Sequence, residues 1–132
     1  MYLLDTNILL ELLLNQKKAH HVERLLLNIP AQSLYLTEFS LYSIGIILLR
    51  QKKHAAYISM IDDLIDKAGV NVLRLLPGDL REVAGYAQSF NLDFDDAYQY
   101  AVAERYDLIL VSFDKDFDHT GKVRKEPAEI VP

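Results

Sequence analysis

At 132 residues with 51% hydrophobic side chains, the chain can bury a substantial core, and we expect residues 1–132 to form a single domain. The absence of cysteine excludes disulfide bonds and thiolate metal sites, and the net charge of −5 at first argues against a nucleic-acid partner. The start of the chain lacks the basic segment of a signal peptide, and no apolar run is long enough to span a bilayer. We therefore expect a cytoplasmic protein without membrane contact.

Short apolar runs alternate with helical patterns along the whole chain. In chain order we predict a strand at about residues 2–4, helices at about 7–14 and 18–28, a strand at 33–37, helices at about 38–52 and 54–68, a strand at 71–75, a helix that Asp79 caps and that runs to about 90, a helix at about 94–105 and a strand at 108–111. Strands separated by helices indicate a parallel sheet between two helical layers, so the predicted fold class is three-layer α/β/α.

Four acidic residues follow a predicted strand or open the next helix: Asp5, Glu38, Asp96 and Asp114. The carboxyl ends of parallel strands meet at one edge of a sheet, where ligands bind in α/β proteins. Each acid alone would be explained as a helix cap or a turn residue. Four carboxylates crowded at one edge, however, repel one another unless cations are bound. The arrangement therefore predicts a divalent-metal site.

The predicted ligands are all carboxylate oxygens, which favour Mg²⁺ or Mn²⁺, whereas zinc prefers histidine or cysteine. The four histidines have no ligand spacing and are expected on the surface: His20, His21, His54 and His119. Setting the four acids aside leaves 15 acidic side chains against 14 basic ones. The overall charge therefore does not exclude a nucleic-acid substrate.

Four short motifs, in this order and spacing, are similar to those of the PIN domain: Asp5-Thr6-Asn7, Thr37-Glu38, Asp95-Asp96-Ala97 and Ser112-Phe113-Asp114-Lys115-Asp116-Phe117. The resemblance extends from residue 2 to about 118, and the size is similar to that of VapC-type toxins. It implies a parallel sheet of about five strands. It also implies metal-ligand roles for Asp5, Glu38, Asp96 and Asp114, with Asp95 an alternative to Asp96 and Asp116 an alternative to Asp114.

The resemblance further implies an endoribonuclease that uses Mg²⁺ or Mn²⁺ to hydrolyse phosphodiester bonds of single-stranded or structured RNA. A role as the toxin of a type II toxin–antitoxin pair, with a cognate antitoxin, is part of this expectation. We expect Thr6 and Ser112 to hydrogen-bond the bound water or a phosphate, and Asn7 to orient Asp5. Capping of the first helix is an equally good explanation of Thr6 and Asn7.

Two other functions compete with the ribonuclease. A PIN-like module that binds RNA or protein without cleavage is the main alternative, and the complete acidic set disfavours it. A phosphatase that forms an aspartyl intermediate would need a second aspartate two residues after the first, where this chain has Asn7.

The helix predicted at 38–52 is apolar on every side between Phe39 and Leu49. A helix of this kind must be buried all round. We expect part of it to lie in a homodimer interface, with binding of an antitoxin helix or burial within the monomer as alternatives.

Overall fold

The computed structural model describes all 132 residues and contains one parallel sheet. Its strands are β1 (Tyr2–Leu4), β2 (Leu34–Thr37), β3 (Asn71–Leu73) and β4 (Ile109–Val111). The order across the sheet is β3-β2-β1-β4, and each neighbouring pair is parallel. The predicted parallel α/β fold is confirmed, with four strands instead of about five. The predicted strand at 71–75 is also shorter, since β3 ends at Leu73.

A segment near the end of the chain covers the outer edge of β4 at one residue. The Lys125 N–H donates to the Leu110 carbonyl at 2.9 Å, and the Ser112 N–H donates to the Lys125 carbonyl at 3.0 Å. These bonds form a single parallel bridge between Val111 and Lys125. Where a fifth strand would pair with β4, this protein has a bridge of one residue only.

Seven α-helices connect and flank the strands: α1 (Thr6–Leu13), α2 (Ala19–Asn28), α3 (Glu38–Arg50), α4 (His54–Met60), α5 (Leu80–Phe90), α6 (Phe94–Arg105) and α7 (Pro127–Ile130). The helix predicted at 54–68 continues beyond α4 as a π-helix over Ile61–Lys67. Short 3₁₀ turns occupy Ala31–Ser33, Pro77–Asp79 and Lys115–His119. None of the helices combines the length and the apolar character that a membrane-crossing segment requires.

The core has two halves, one on each face of the sheet. Successive side chains of a strand point to opposite faces, so Leu3 belongs to one half and Leu4 to the other. The Leu3 half packs against α5 and α6, and the Leu4 half packs against α1 to α4. Both leucines are fully buried, and each such burial contributes roughly 1.5–3 kcal/mol. Packing of helices on both faces holds β1 and β4 in place, and the acidic residues lie at the carboxyl ends of these two strands.

Candidate metal centre

Asp5 is the single residue between β1 and α1, and it caps α1. Its N–H donates to the Val111 carbonyl at 2.9 Å, which continues the pairing with β4. Its carboxylate accepts the Thr6 N–H at 2.8 Å and the Ser112 hydroxyl at 2.7 Å, and only 5% of the residue is exposed. Burial raises the pKa of Asp5 to about 6, although the two hydrogen bonds act in the opposite direction.

Ser112, directly after β4, joins several site residues. Its hydroxyl oxygen accepts hydrogen bonds from the Asp114 N–H at 2.9 Å and from the Asn7 side-chain NH₂ group at 3.3 Å. The same hydroxyl donates a hydrogen bond to the Asp5 carboxylate. The side-chain carbonyl oxygen of Asn7 (Oδ1) accepts a hydrogen bond from the Phe113 N–H at 3.3 Å. Asn7 therefore reaches Asp5 through Ser112, and together they tie α1 to the loop that carries Asp114.

Asp96 lies in the first turn of α6 and is only partly exposed. Its carboxylate oxygens and those of Asp114 and Asp116 come within 4.8 Å of one another, and the same is true of Asp96 with Asp93 and Asp95. Burial, followed by the negative charges of Asp5, Asp114 and Asp95, raises the pKa of Asp96 to about 8. The ionised form of Asp96 is therefore strongly disfavoured without a neighbouring cation.

Four of the acids line one cavity of about 410 Å³ at the carboxyl edge of the sheet: Asp5, Asp95, Asp96 and Asp114. Its lining comprises Asp5, Thr6, Asn7, Leu10, Ser43, Ile46, Ile47, Asp95, Asp96 and Asp114. Asp114 lines this cavity, whereas Asp116 faces a neighbouring one that also includes His119. Both Asp95 and Asp96 line it, but only Asp96 also approaches Asp114. Of the predicted alternatives, Asp96 and Asp114 are the two that both line this cavity and approach each other.

The structure does not bring Glu38 to the other three predicted ligands. Its carboxylate accepts the Tyr42 hydroxyl and lies 4.0 Å from the Arg74 guanidinium. Thr37, not Glu38, caps α3, since the Thr37 hydroxyl accepts the Ser40 N–H at 2.9 Å. The carboxylates around the cavity therefore come from β1, α6 and the loop after β4, and α3 contributes none.

Two buried polar residues near the cavity were missed by the sequence analysis. Ser40 is completely buried, and its hydroxyl lies 2.8 Å from that of Thr6. The Gln99 side chain, also buried, donates to Ser40. The only signal for Gln99 was a polar residue three positions after Asp96, within a helix segment that is otherwise apolar or aromatic.

The chemistry of these donors fits a hard divalent cation. Every group with a formal charge that lines the cavity is a carboxylate, and none of the four histidines lines it. Ionised Asp5 and Asp96 need a positive charge to offset their burial and mutual repulsion. Mg²⁺ and Mn²⁺ satisfy both conditions, because they prefer oxygen ligands.

Comparisons with known proteins agree with the observed fold. A search of curated proteins found no significant sequence match. Among solved structures, the VapC20 toxin of Mycobacterium tuberculosis, which cleaves the sarcin–ricin loop, is 19% identical with a TM-score of 0.81, over 96% of this chain and all of that one. FitAcB from Neisseria gonorrhoeae is 17% identical with a TM-score of 0.76, over 97% of this chain and 99% of that one.

A toxin–antitoxin complex from Klebsiella pneumoniae is 18% identical with a TM-score of 0.69, over 89% of this chain and 90% of that one. At these identities the structural matches establish a shared fold. The family model of the PIN domain matches residues 2–123, which is nearly the entire chain. The chain therefore belongs to the PIN-domain family.

Proposed function

We propose that this protein is a Mg²⁺- or Mn²⁺-dependent endoribonuclease that hydrolyses RNA phosphodiester bonds. The observation that carries the proposal is the convergence of Asp5, Asp96 and Asp114 on one cavity at the carboxyl edge of the sheet. A bound divalent ion would supply an acidified water as nucleophile and would neutralise charge on the leaving oxygen. The structurally similar VapC20 is a toxin that cleaves the sarcin–ricin loop, and this supports RNA as the substrate class.

The residues around the cavity have separable roles in this proposal. Asp5, Asp96 and Asp114 would hold the ion, and Asp95 on the rim would add negative charge that attracts it. Ser112 holds the Asp5 carboxylate at 2.7 Å, and Asn7 holds Ser112 in turn. These contacts preorganise Asp5 before any ligand arrives, which reduces the ordering needed on binding.

Cleavage of single-stranded RNA should require Mg²⁺ or Mn²⁺ and should leave a 5′-phosphate and a 3′-hydroxyl. This outcome is expected because carboxylates that hold a metal direct water onto phosphorus, whereas attack by the ribose 2′-hydroxyl gives a 2′,3′-cyclic phosphate. End-group analysis of the products with and without EDTA tests both points. Activity that survives EDTA would contradict the metal site, and cyclic-phosphate ends would contradict attack by water.

We further propose that the protein forms a homodimer through α3. This helix buries Ile44 and Leu48 but exposes Tyr42, Ile46 and Leu49 by 60%, 53% and 43%. The exposed residues are spaced four and three apart and therefore share one face of the helix. An apolar stripe of this kind is typical of a protein interface.

Leu49→Glu should convert the dimer into a monomer, because the stripe would then have to bury a charge. Light scattering coupled to size-exclusion chromatography at micromolar concentration gives the mass directly. Leu27→Glu is the matched control, since Leu27 is 76% exposed on α2, outside the stripe. A wild-type protein that is monomeric under these conditions would refute the α3 interface.

A cognate antitoxin is the remaining part of the proposal. The similarity to a toxin–antitoxin complex supports it. A separate cavity of about 260 Å³ has an almost wholly apolar lining, and its hydrophobic residues are Leu9, Leu12, Leu13, Leu26, Ala56, Met60 and Leu64. An amphipathic helix binds grooves of this kind through its apolar face.

A further inference from the structure

The Arg124 side chain bonds both ends of the site loop, residues 112–119, which carries Asp114. Only 10% of this side chain is exposed, and it donates four hydrogen bonds. A guanidinium is always protonated and can only donate, so the direction of each bond is fixed. The contacts of Arg124 therefore involve no choice of proton positions.

One end of the site loop is held through the carbonyl oxygen of Ser112. An Nη1 N–H of Arg124 donates to this oxygen at 3.0 Å. Ser112 is completely buried, so its carbonyl oxygen would be costly to leave without a donor. The hydroxyl of the same residue donates to Asp5 and accepts from the Asp114 N–H. Arg124 thus holds the residue that connects Asp5 to Asp114.

The other end of the site loop is held through the Asp118 carboxylate. Its two oxygens accept the Nε N–H of Arg124 at 2.9 Å and an Nη2 N–H at 3.4 Å. Two parallel bonds of this kind fix direction as well as distance. Asp118 belongs to the 3₁₀ turn that Asp114 caps. A single planar group therefore sets the separation of Ser112 and Asp118, and Asp114 lies between them in the chain.

Arg124 is itself held by contacts outside the site loop. A second Nη1 N–H donates to one carboxylate oxygen of Glu126 at 3.1 Å. The other oxygen of Glu126 accepts from the Lys18 ammonium at 2.8 Å. Lys18 directly precedes α2, which packs in the core. The guanidinium is therefore tied to the body of the domain and does not simply move with the loop.

We propose that Arg124 is a positioning residue that sets the place of Asp114 relative to Asp5 for binding of the divalent ion. The proposal rests on the proposed function, because it takes these two carboxylates to be metal ligands. It gives Arg124 an effect on metal affinity, although its side chain does not line the cavity.

Charge and positioning predict opposite effects of removing Arg124. The guanidinium is a positive charge close to the metal-site carboxylates, so its loss alone should strengthen cation binding. Loss of positioning should weaken cation binding, because the ion must then order Asp114 itself. Residues that orient metal ligands typically change metal affinity about 10- to 100-fold. The sign of the change in Mn²⁺ affinity therefore distinguishes the two effects.

Arg124→Met should raise the Kd for Mn²⁺ about tenfold or more, measured by isothermal titration calorimetry without RNA. Half-maximal RNA cleavage should need a correspondingly higher Mn²⁺ concentration. Arg105→Met is the matched control, because Arg105 also pairs with two carboxylates, those of Asp79 and Glu82. Arg105 lies at the opposite end of α6 from Asp96, so this variant should bind Mn²⁺ as the wild type does.

Amide hydrogen exchange without metal gives a readout that does not depend on activity. The N–H groups of Asp114 and Asp116 are both bonded within the site loop. In Arg124→Met they should exchange about tenfold faster, as expected for the loss of a hydrogen bond to a charged group, and in Arg105→Met at the wild-type rate. Arg124→Met should still fold, because the fully buried Phe117 anchors the loop in the core.

Mn²⁺ binding by Arg124→Met that equals or exceeds that of the wild type would overturn the proposal. Unchanged amide exchange in the site loop, or an equal loss of Mn²⁺ affinity in Arg105→Met, would do so as well. If Arg124→Met fails to fold, Arg124→Lys decides, because it keeps the charge but cannot reproduce the planar fork. Weaker Mn²⁺ binding by Arg124→Lys supports positioning, and unchanged binding overturns it.

The same measurements separate this inference from the proposed function. A wild type whose Mn²⁺ binding depends on Arg124 but which cleaves no RNA would refute the proposed ribonuclease and leave the inference standing. Metal-dependent cleavage by the wild type, together with unimpaired Mn²⁺ binding by Arg124→Met, would do the reverse.

Discussion

Asp5→Asn is expected to lower the rate of Mg²⁺-dependent RNA cleavage by about 100- to 1,000-fold or more, the range seen when a group that stabilises the transition state is removed. The asparagine keeps the shape of Asp5 and the hydrogen bond from the Thr6 N–H. It loses the charge, and its NH₂ group cannot accept the Ser112 proton. Single-turnover cleavage of a labelled single-stranded RNA measures the loss.

Thermal unfolding with and without Mg²⁺ shows whether that loss is due to the metal. An ion that binds only the folded protein raises the midpoint by mass action, so the wild type should be stabilised by millimolar Mg²⁺ and Asp5→Asn should not. Without metal, Asp5→Asn should fold, because it removes a buried charge. A variant that is unfolded at 25 °C would instead make Asp5 a structural residue.

Glu38→Gln is the informative comparison within the predicted acidic set. Since Glu38 pairs with Tyr42 and Arg74 and not with the cavity, its loss should reduce cleavage by less than about tenfold, the effect of one modest contact. Asp66→Asn, an exposed acid on the π-helix, controls for the change in net charge. A loss with Glu38→Gln as large as with Asp5→Asn would place Glu38 in the metal centre.

The second large effect is on the pH dependence of stability in the absence of metal. The pKa of Asp96 is raised from an ordinary 3.8 to about 8 by burial and by its acidic neighbours, and that of Asp5 is raised to about 6. The folded state therefore holds protons that the unfolded state releases. This contribution to stability is complete below about pH 4 and is lost as pH rises through 6 and 8.

Thermal unfolding in EDTA at pH 5 and pH 8 isolates the contribution of Asp96. The wild-type midpoint should fall by about 5 °C more than that of Asp96→Asn, in which the group cannot ionise. At pH 8 the variant should thus be the more stable protein, whereas Asp66→Asn should follow the wild type. An Asp96→Asn midpoint below that of the wild type at pH 8 would contradict the raised pKa.

The sequence was sufficient to place Asp5 and Asp114 at one edge of the sheet. Both follow short apolar runs, and parallel strands end at a common edge. The helical spacing also located the first turn of α6 and with it Asp96. These predictions depend on where strands and helices begin and end, which local patterns of apolar residues determine well.

The direction in which Glu38 points depends on the rotation of α3 about its own axis, which strand order does not determine. Glu38 is the first residue of α3. Successive residues of a helix are rotated by about 100°, so Glu38 and Ser40, two positions apart, lie on nearly opposite sides of α3. Because the Ser40 side chain points inward to Thr6 and Gln99, Glu38 must face outward. The rotation of α3 is set by packing of Ile44 and Leu48 in the core, a tertiary effect.

Gln99 and the π-helix over Ile61–Lys67 were beyond sequence reasoning for the same kind of reason. A polar residue on a buried helix is visible in the sequence, but its partners Thr6 and Ser40 are 93 and 59 positions away. The π-helical turn has no distinctive residue pattern, since the segment reads as an ordinary amphipathic helix.

The backbone bridge between Val111 and Lys125 covers part of the outer edge of β4. An uncovered outer strand offers free N–H and C=O groups to other molecules and so promotes aggregation. Residue 125 blocks β4 at the step that leads into Ser112, and the same backbone bond fixes the start of the loop that carries Asp114. Proteolytic trimming before residue 125 would therefore loosen the loop that carries Asp114 and, at the same time, leave the outer edge of β4 free to pair with other chains.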